Sequence, residues 1–349
     1  MKKAIFLAVS IAVAAGAILG GCSSGAKPKI GLSFSDFETE RWPREKDEMS
    51  RLLGAAGFEL LVQEAGHDAK LQNAQIKAMA AQGAKVIIVV AEDGETAAAA
   101  VDEVAKKGVK VLAYDRLIAT PNVAAYISFD NIDVGRNQAK GILAVKDKGD
   151  FALLGGSPTD NNAKLLRKGQ MEVLRPSIEA GKIRIVAEPW VENWEYAAAK
   201  TAMEDILIAT DKKVDAVIAS NDGTALGALE ALRAAGLAGK VPLSGQDATE
   251  AGCKALVRGE LTVTILKDTR NLTPLACDFA VRLLRKETIP GLTRFDLAEL
   301  TGDEAREGAV QCKFLEVFQV TRENVRQLVV DPGFQSYEGV YGEHSEDGK

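Results

Sequence analysis

Residues 86–116 read VIIVVAEDGETAAAAVDEVAKKGVKVLAYDR. The apolar run 86–90 predicts a strand, the Ala- and Lys-rich stretch 95–107 an amphipathic helix stopped by Gly108, and 109–114 a second strand. Each strand runs into polar residues, Glu92 and Asp93 after the first, Asp115 and Arg116 after the second. Strands apolar on both faces and joined by a crossover helix make a parallel βαβ unit. Ligands of such sheets bind just beyond the carboxyl ends of the strands.

The pattern extends outward in both directions. Further strands are predicted at 29–34, 58–63, 125–129, 150–154, 183–187, 216–219, 241–244 and 262–266, with helices such as 68–82 and 224–235 between them. Gly57, Gly83 and Gly236 are placed to end helices as Gly108 does. So many strands exceed the usual content of one sheet, and the chain is predicted to be α/β with two doubly wound, Rossmann-like parallel-sheet domains. The second half repeats the polar strand ends: Ile218-Ala219 leads to Ser220-Asn221-Asp222, and Leu243 leads to Ser244-Gly245-Gln246-Asp247. Both halves therefore aim polar groups at a cleft between them.

The 349 residues, 47% hydrophobic and 26% charged, exclude a disordered or collagenous chain, and the formal charge of −6 argues against a nucleic-acid or anionic-lipid binder. Only two histidines, His67 and His344, and four scattered cysteines leave no spacing for a metal site. Lys2 and Lys3 precede an apolar run, 4–19, that closes on Leu19-Gly20-Gly21-Cys22. This resembles a lipoprotein signal, with 1–21 removed, Cys22 lipidated and 22–27 a linker, which would place the protein outside the cytoplasmic membrane on a lipid anchor. A plain transmembrane anchor is the alternative. Cys253 and Cys277 fall in predicted helices and read as buried free thiols; with Cys312 they allow at most one disulfide.

Signatures of catalysis are missing. No GxSxG, Walker A, GxGxxG or HExxH is present, and the nearest approach, Leu154-Gly155-Gly156-Ser157-Pro158, has no histidine to serve its serine. Asp115 and Asp247 could form a glycosidase pair, but Arg116 beside Asp115 holds an acid ionised, which suits a hydrogen-bond acceptor. A sugar needs planar, multidentate polar partners and an aromatic plate for its C–H faces. Arg41, Trp42, Asp115, Arg116, Asp160-Asn161-Asn162, Trp190, Trp194, Asn221-Asp222, Asp247 and Lys267 supply both at strand ends. Each has a plainer role open to it: Asp and Asn as helix caps, Trp42 and the other tryptophans as core.

The residues Glu40-Arg41-Trp42, Tyr114-Asp115-Arg116, Tyr126-Ile127-Ser128-Phe129-Asp130-Asn131, Gly155-Gly156-Ser157-Pro158, Asp160-Asn161-Asn162-Ala163-Lys164, Trp190-Val191-Glu192-Asn193-Trp194 and Ser244-Gly245-Gln246-Asp247 carry a resemblance over about 29–334. The chain resembles the D-xylose-binding proteins of bacterial ABC transporters, in the type I periplasmic group that also holds ribose- and galactose-binding proteins. It departs from them at 33–37, where the family has an acidic pair, and in its lipoprotein-like leader. The resemblance implies a first domain of 28–132 and 270–305, a second of 133–269 and 306–332, a three-segment hinge near 131–135, 267–271 and 300–312, and a loose tail, 333–349. It assigns the sugar to Arg41, Asp115 and Arg116 of the first domain and to Asn162, Asn221, Asp247 and Lys267 of the second, with Trp194 as plate and Trp42 at the same mouth. The implied protein is a monomer without cofactor, metal or enzymatic activity. It would bind a monosaccharide, D-xylose before other pentoses or hexoses, and deliver it to an ABC permease or serve a chemoreceptor. A glycosidase is a remaining alternative; a sugar-responsive repressor is not, since the leader stands where its helix-turn-helix would be.

Overall fold

The computed structural model describes residues 27–342, so the leader with Cys22 and the segment 343–349 lie outside the described residues. The chain lays down β1 (Lys29–Phe34), α1 (Arg41–Ala55), β2 (Glu59–Glu64), α2 (Ala69–Ala81), β3 (Ala84–Val89), α3 (Gly94–Lys106), β4 (Lys110–Tyr114) and β5 (Ala125–Phe129) in a first lobe. It crosses into a second lobe for α4 (Asn131–Leu143), β6 (Gly149–Leu154), α5 (Asn161–Glu179), β7 (Ile183–Ala187), α6 (Tyr196–Ala209), β8 (Ala216–Ala219), α7 (Asp222–Ala234), β9 (Leu243–Ser244), α8 (Glu250–Val257) and β10 (Thr264–Leu266). It returns for α9 (Thr269–Arg285), β11 (Thr293–Asp296), α10 (Leu297–Thr301) and β12 (Ala309–Leu315). A last crossing brings β13 (Phe318–Val320), a π-helical turn (Arg326–Val330) and α11 (Tyr337–Tyr341) to the second lobe.

The first sheet has the order β11-β12-β5-β4-β3-β1-β2 and is parallel except at its β11–β12 edge. The second is β7-β6-β8-β9, continued by a single parallel bridge from Ser244 to Val263 toward the antiparallel pair β10–β13. In both sheets the strand order reverses beside the first strand laid down, and such a switch point opens a crevice at the carboxyl ends. Apolar residues on both faces explain the covering helices. In β3, Ile87 and Val89 join one core while Val86 and Ile88 join the core on the opposite face.

Three expectations are corrected. β11, β12 and β13 are additional strands, and β12 pairs in parallel with β5, so the first lobe runs on to Leu315 instead of ending near 305. The third crossing therefore lies between β12 and β13, beyond 300–312. The segment 333–342 is packed rather than loose: Phe334 and Val340 belong to the second lobe's core, and Gln335 Nε2 donates to Ala248 O at 2.9 Å. The glycines expected to stop helices do so, Gly57 and Gly83 with φ of 92° and 96°. Cys253, Cys277 and Cys312 are buried and unpaired, and burial pushes the Cys277 and Cys312 thiols up to about 12.

Two helices of the second lobe cross at backbone contact. A Cβ on Gly135 of α4 would lie 2.0 Å from Leu166 O, and one on Gly169 of α5 would lie 2.0 Å from Ile132 O. No rotamer change relieves such an overlap, because the obstruction is main chain. Gly169→Ala is expected to destabilise the protein by about 1–3 kcal/mol in urea denaturation through overpacking. Gly54→Ala at an exposed position of α1, where nothing lies within 4 Å of the new methyl, is expected to add about 0.5–1 kcal/mol.

Candidate functional site

Asp115, Arg116, Asn162, Asn221, Asp247 and Lys267, at strand ends or in the loops after them, line the crevice between the lobes. Asp115, just past β4, is 3% exposed. It takes the left-handed backbone (φ 61°), and its main-chain oxygen accepts from the hydroxyls of Tyr126 (3.0 Å) and Ser128 (2.7 Å). Its carboxylate accepts from Arg41 Nη1 at 2.9 Å. From the other lobe, Asn162 Nδ2 donates to both Asp115 Oδ2 and its main-chain oxygen at 3.1 Å. Burial pushes this carboxyl upward, yet Arg41, Lys267 and Arg116 outweigh it and hold the pKa below the usual range.

Arg41 opens α1 and is buried with its guanidinium 4.4 Å from the Trp42 ring centroid. Glu45, one helical turn on, accepts from its Nε and Nη2, and the Tyr114 hydroxyl also donates to Glu45. Tyr114 meets Thr273 of α9 at 2.9 Å, which ties the binding arginine into the core of the first lobe. Arg116 donates to Ala91 O at 3.1 Å and pairs across the crevice with Asp160 at 3.0 Å. Asp160 is raised by burial, against the pull of Arg116.

The second lobe presents Asn162, Trp194, Asn221, Asp247 and Lys267. Asn221 is also a true N-cap: its Oδ1 accepts from Thr224 N at 2.8 Å, which leaves its amide nitrogen for the crevice. Gln138, buried in α4, holds this floor together by donating to the main-chain oxygens of Ala219, Ser220 and Gly245 at 3.0–3.2 Å. Trp194 (φ 60°) lies against Gly156, where a Cβ would be 2.2 Å from its ring. The Gly155-Gly156 pair thus clears space for tryptophan rings, and Ser157 beside it is buried and bonded to Thr159 at 3.0 Å, not a nucleophile.

All nine residues nominated for the sugar, Arg41, Trp42, Asp115, Arg116, Asn162, Trp194, Asn221, Asp247 and Lys267, line one small cavity of about 30 Å³, with Thr39, Asp160 and Gln246. Trp42 is both core and wall, since it packs in the first lobe's core while lining this space. Trp190 is a correction: it is 41% exposed, covers Gly155 and stacks with Arg167, and lines no part of the cavity. Among the buried atoms without a hydrogen-bond partner are Trp42 Nε1 from the first lobe and Trp194 Nε1, Gln246 Oε1 and Asp247 Oδ1 from the second, two donors and two acceptors lining the same cavity. A larger cavity of about 440 Å³ adjoins it and shares Thr39, Arg41, Trp194, Asn221, Asp247 and Lys267.

Sequence reasoning passed over Glu45, Tyr114 and Gln138, whose partners lie far along the chain. It also gave His67 no companion, whereas the fold brings it within 4.8 Å of Asp36 and Glu92. Glu92 is at the same time 3.6 Å from Arg116, so these carboxylates answer the arginine's charge. No helix among the described residues is long and apolar enough to cross a membrane.

Residues 30–288 match the family described as periplasmic binding protein domain. The chain is 42% identical over 313 residues to the D-xylose-binding periplasmic protein of Haemophilus influenzae, covering 90% of this chain and 92% of the relative. It is 39% identical over 306 residues to the protein of that description in Escherichia coli, covering 88% and 90%. Among solved structures, an ABC transporter solute-binding protein from Clostridium phytofermentans with bound β-D-glucose superposes with a TM-score of 0.78 at 28% identity, covering 89% of this chain and 99% of the other.

One carboxyl beneath the site titrates near neutrality. Asp222 is fully buried, and burial pushes it up to about 7, with Asp247 adding to the rise and hydrogen bonds from Thr264 and Thr249 opposing it. The native state then keeps a proton that the unfolded chain releases near 3.8. The stability this group contributes is full below that value and is lost as pH rises through about 7. Wild type is expected to lose stability relative to Asp222→Asn between pH 4.5 and 8 in urea denaturation; parallel profiles would refute the assignment.

Proposed function

The chain belongs to the periplasmic binding protein family, and from that premise we propose that it captures D-xylose between its lobes and delivers it to the permease of an ABC transporter. The observation that carries this reading is the cavity on which Arg41, Asp115, Arg116, Asn162, Asn221, Asp247 and Lys267 converge from both lobes, with donors on Trp42 and Trp194 and acceptors on Gln246 and Asp247 that make no hydrogen bond, Asp247 Oδ1 meeting only the Arg41 charge at 3.8 Å. A sugar hydroxyl both donates and accepts, so a ring of hydroxyls satisfies such a mixed set where a purely anionic or cationic ligand would not. The identity to D-xylose-binding relatives supports the choice of sugar.

Mechanistically, three short crossings join the lobes and act as the hinge, so the sugar enters an opened crevice and is enclosed when the lobes close. Asp115, already ionised by its neighbours, accepts from sugar hydroxyls, while Arg116, Asn162, Asn221 and Lys267 donate to sugar oxygens. The indoles of Trp42 and Trp194 cover the C–H faces and donate from Nε1. Charge-assisted hydrogen bonds contribute about 1.5–3 kcal/mol each, enough in combination to offset desolvation of a polyol and ordering of the lobes. The family places the protein among binders rather than enzymes, consistent with an arginine-clamped Asp115 that cannot serve as a proton donor. The leader sequence supports tethering through Cys22, outside the cytoplasmic membrane.

In a thermal-shift and calorimetric series, D-xylose is expected to bind one to one, and at 100 times its Kd to add about 2.7 kcal/mol of stability. Asp115→Asn is expected to weaken it at least about tenfold, or 1.4 kcal/mol. Absence of any pentose response would remove the reading. For the anchor, Cys22→Ser is expected to move the protein from the membrane fraction to the soluble fraction; wild type found soluble and unlipidated in its own host would defeat the proposal.

A further inference from the structure

The 440 Å³ cavity at the mouth is continuous with the inner space, sharing six of the residues that line it. Its size falls within the range of about 300–1,000 Å³ that small-molecule sites occupy.

The outer lining is suited to a second sugar ring. Tyr196, half exposed at the start of α6, contributes an aromatic face, and its hydroxyl donates to Glu230, which fixes the ring. Phe334 also lines the cavity but is buried, with the guanidinium groups of Arg44 and Arg270 at 4.9 and 5.4 Å from its ring centroid. Asn193 offers an amide, while the acids Glu38, Glu40, Glu195 and Asp247 are nearly balanced by Arg44 with the shared Arg41 and Lys267. Such a balance favours a neutral, hydroxyl-bearing ligand over a charged one. The wall made by Phe334 comes from the segment that packs after β13, so it is part of the folded lobe.

We propose that this mouth is a second saccharide subsite, and that the protein accepts a neutral xylose-terminated disaccharide with one ring against the inner residues and the next against Tyr196. This rests on the xylose reading above. The test is competition calorimetry on the full mature chain with D-xylose and with β-1,4-linked xylobiose. Xylobiose is expected to bind one to one and to displace xylose. Tyr196→Ala is expected to weaken xylobiose at least fivefold while leaving xylose within twofold, and Tyr196→Phe, which keeps the ring, to leave both within twofold. Xylose binding without competition by millimolar xylobiose would overturn the subsite and leave the xylose reading intact. Failure of both sugars would overturn both. Xylobiose binding untouched by Tyr196→Ala would overturn the assignment of the second ring to this wall.

Discussion

A carboxylate taken out of water costs several kcal/mol unless cations and donors surround it, and Asp115 is such a group. Its compensation comes from both lobes: Arg41 and Arg116 from its own, Asn162 and Lys267 from the other. Each cation then needs an answering charge, and the demand passes outward. Arg41 is answered by Glu45, which Tyr114 and Thr273 fasten to α9; Arg116 is answered by Asp160 and Glu92. The position of one acid thus constrains side chains on β4, α1, α9 and the start of α5, and the crevice is held as a network rather than as separate residues.

The parallel strands were readable because burial on both faces writes itself as a continuous apolar run. β11 and β13 were not: Thr-Arg-Phe-Asp over β11 is mostly exposed at a sheet edge, and β13 spans three residues. Nothing in such a composition distinguishes a strand from a loop, so the lobe boundary at β12 was misplaced. The packed end of the chain is hard to read because Phe334 and Val340 are spaced among Gly, Gln, Ser, Glu and two tyrosines with no helical or strand period, and their partners on the second lobe are remote in sequence.

Within the crevice, residue type at strand ends and the family resemblance together named the residues that line the cavity. What they could not supply was backbone geometry. Asp115, Trp194 and Asp247 all have positive φ, a conformation that costs a non-glycine residue roughly 1–3 kcal/mol and that no local signal announces. Two tryptophans four residues apart look alike in sequence, yet only Trp194 turns inward, while Trp190 covers the neighbouring glycine from outside. Gln138 was equally silent, since a glutamine on a helix reads as solvent-facing until the strand ends it binds are brought beneath it.

The bonds from Asn162 to Asp115 and from Arg116 to Asp160 join the lobes through protein atoms alone. Asn162 and Arg116 can donate to a sugar only by giving up part of these bonds, so a sugar's contribution to closure is the difference between its own contacts and the protein contacts and water it replaces. A membrane partner that reads closure as its signal would then meet a background of closed but unloaded protein. The strength of these two bonds sets a floor on how sharply an import system of this kind can distinguish plenty from scarcity.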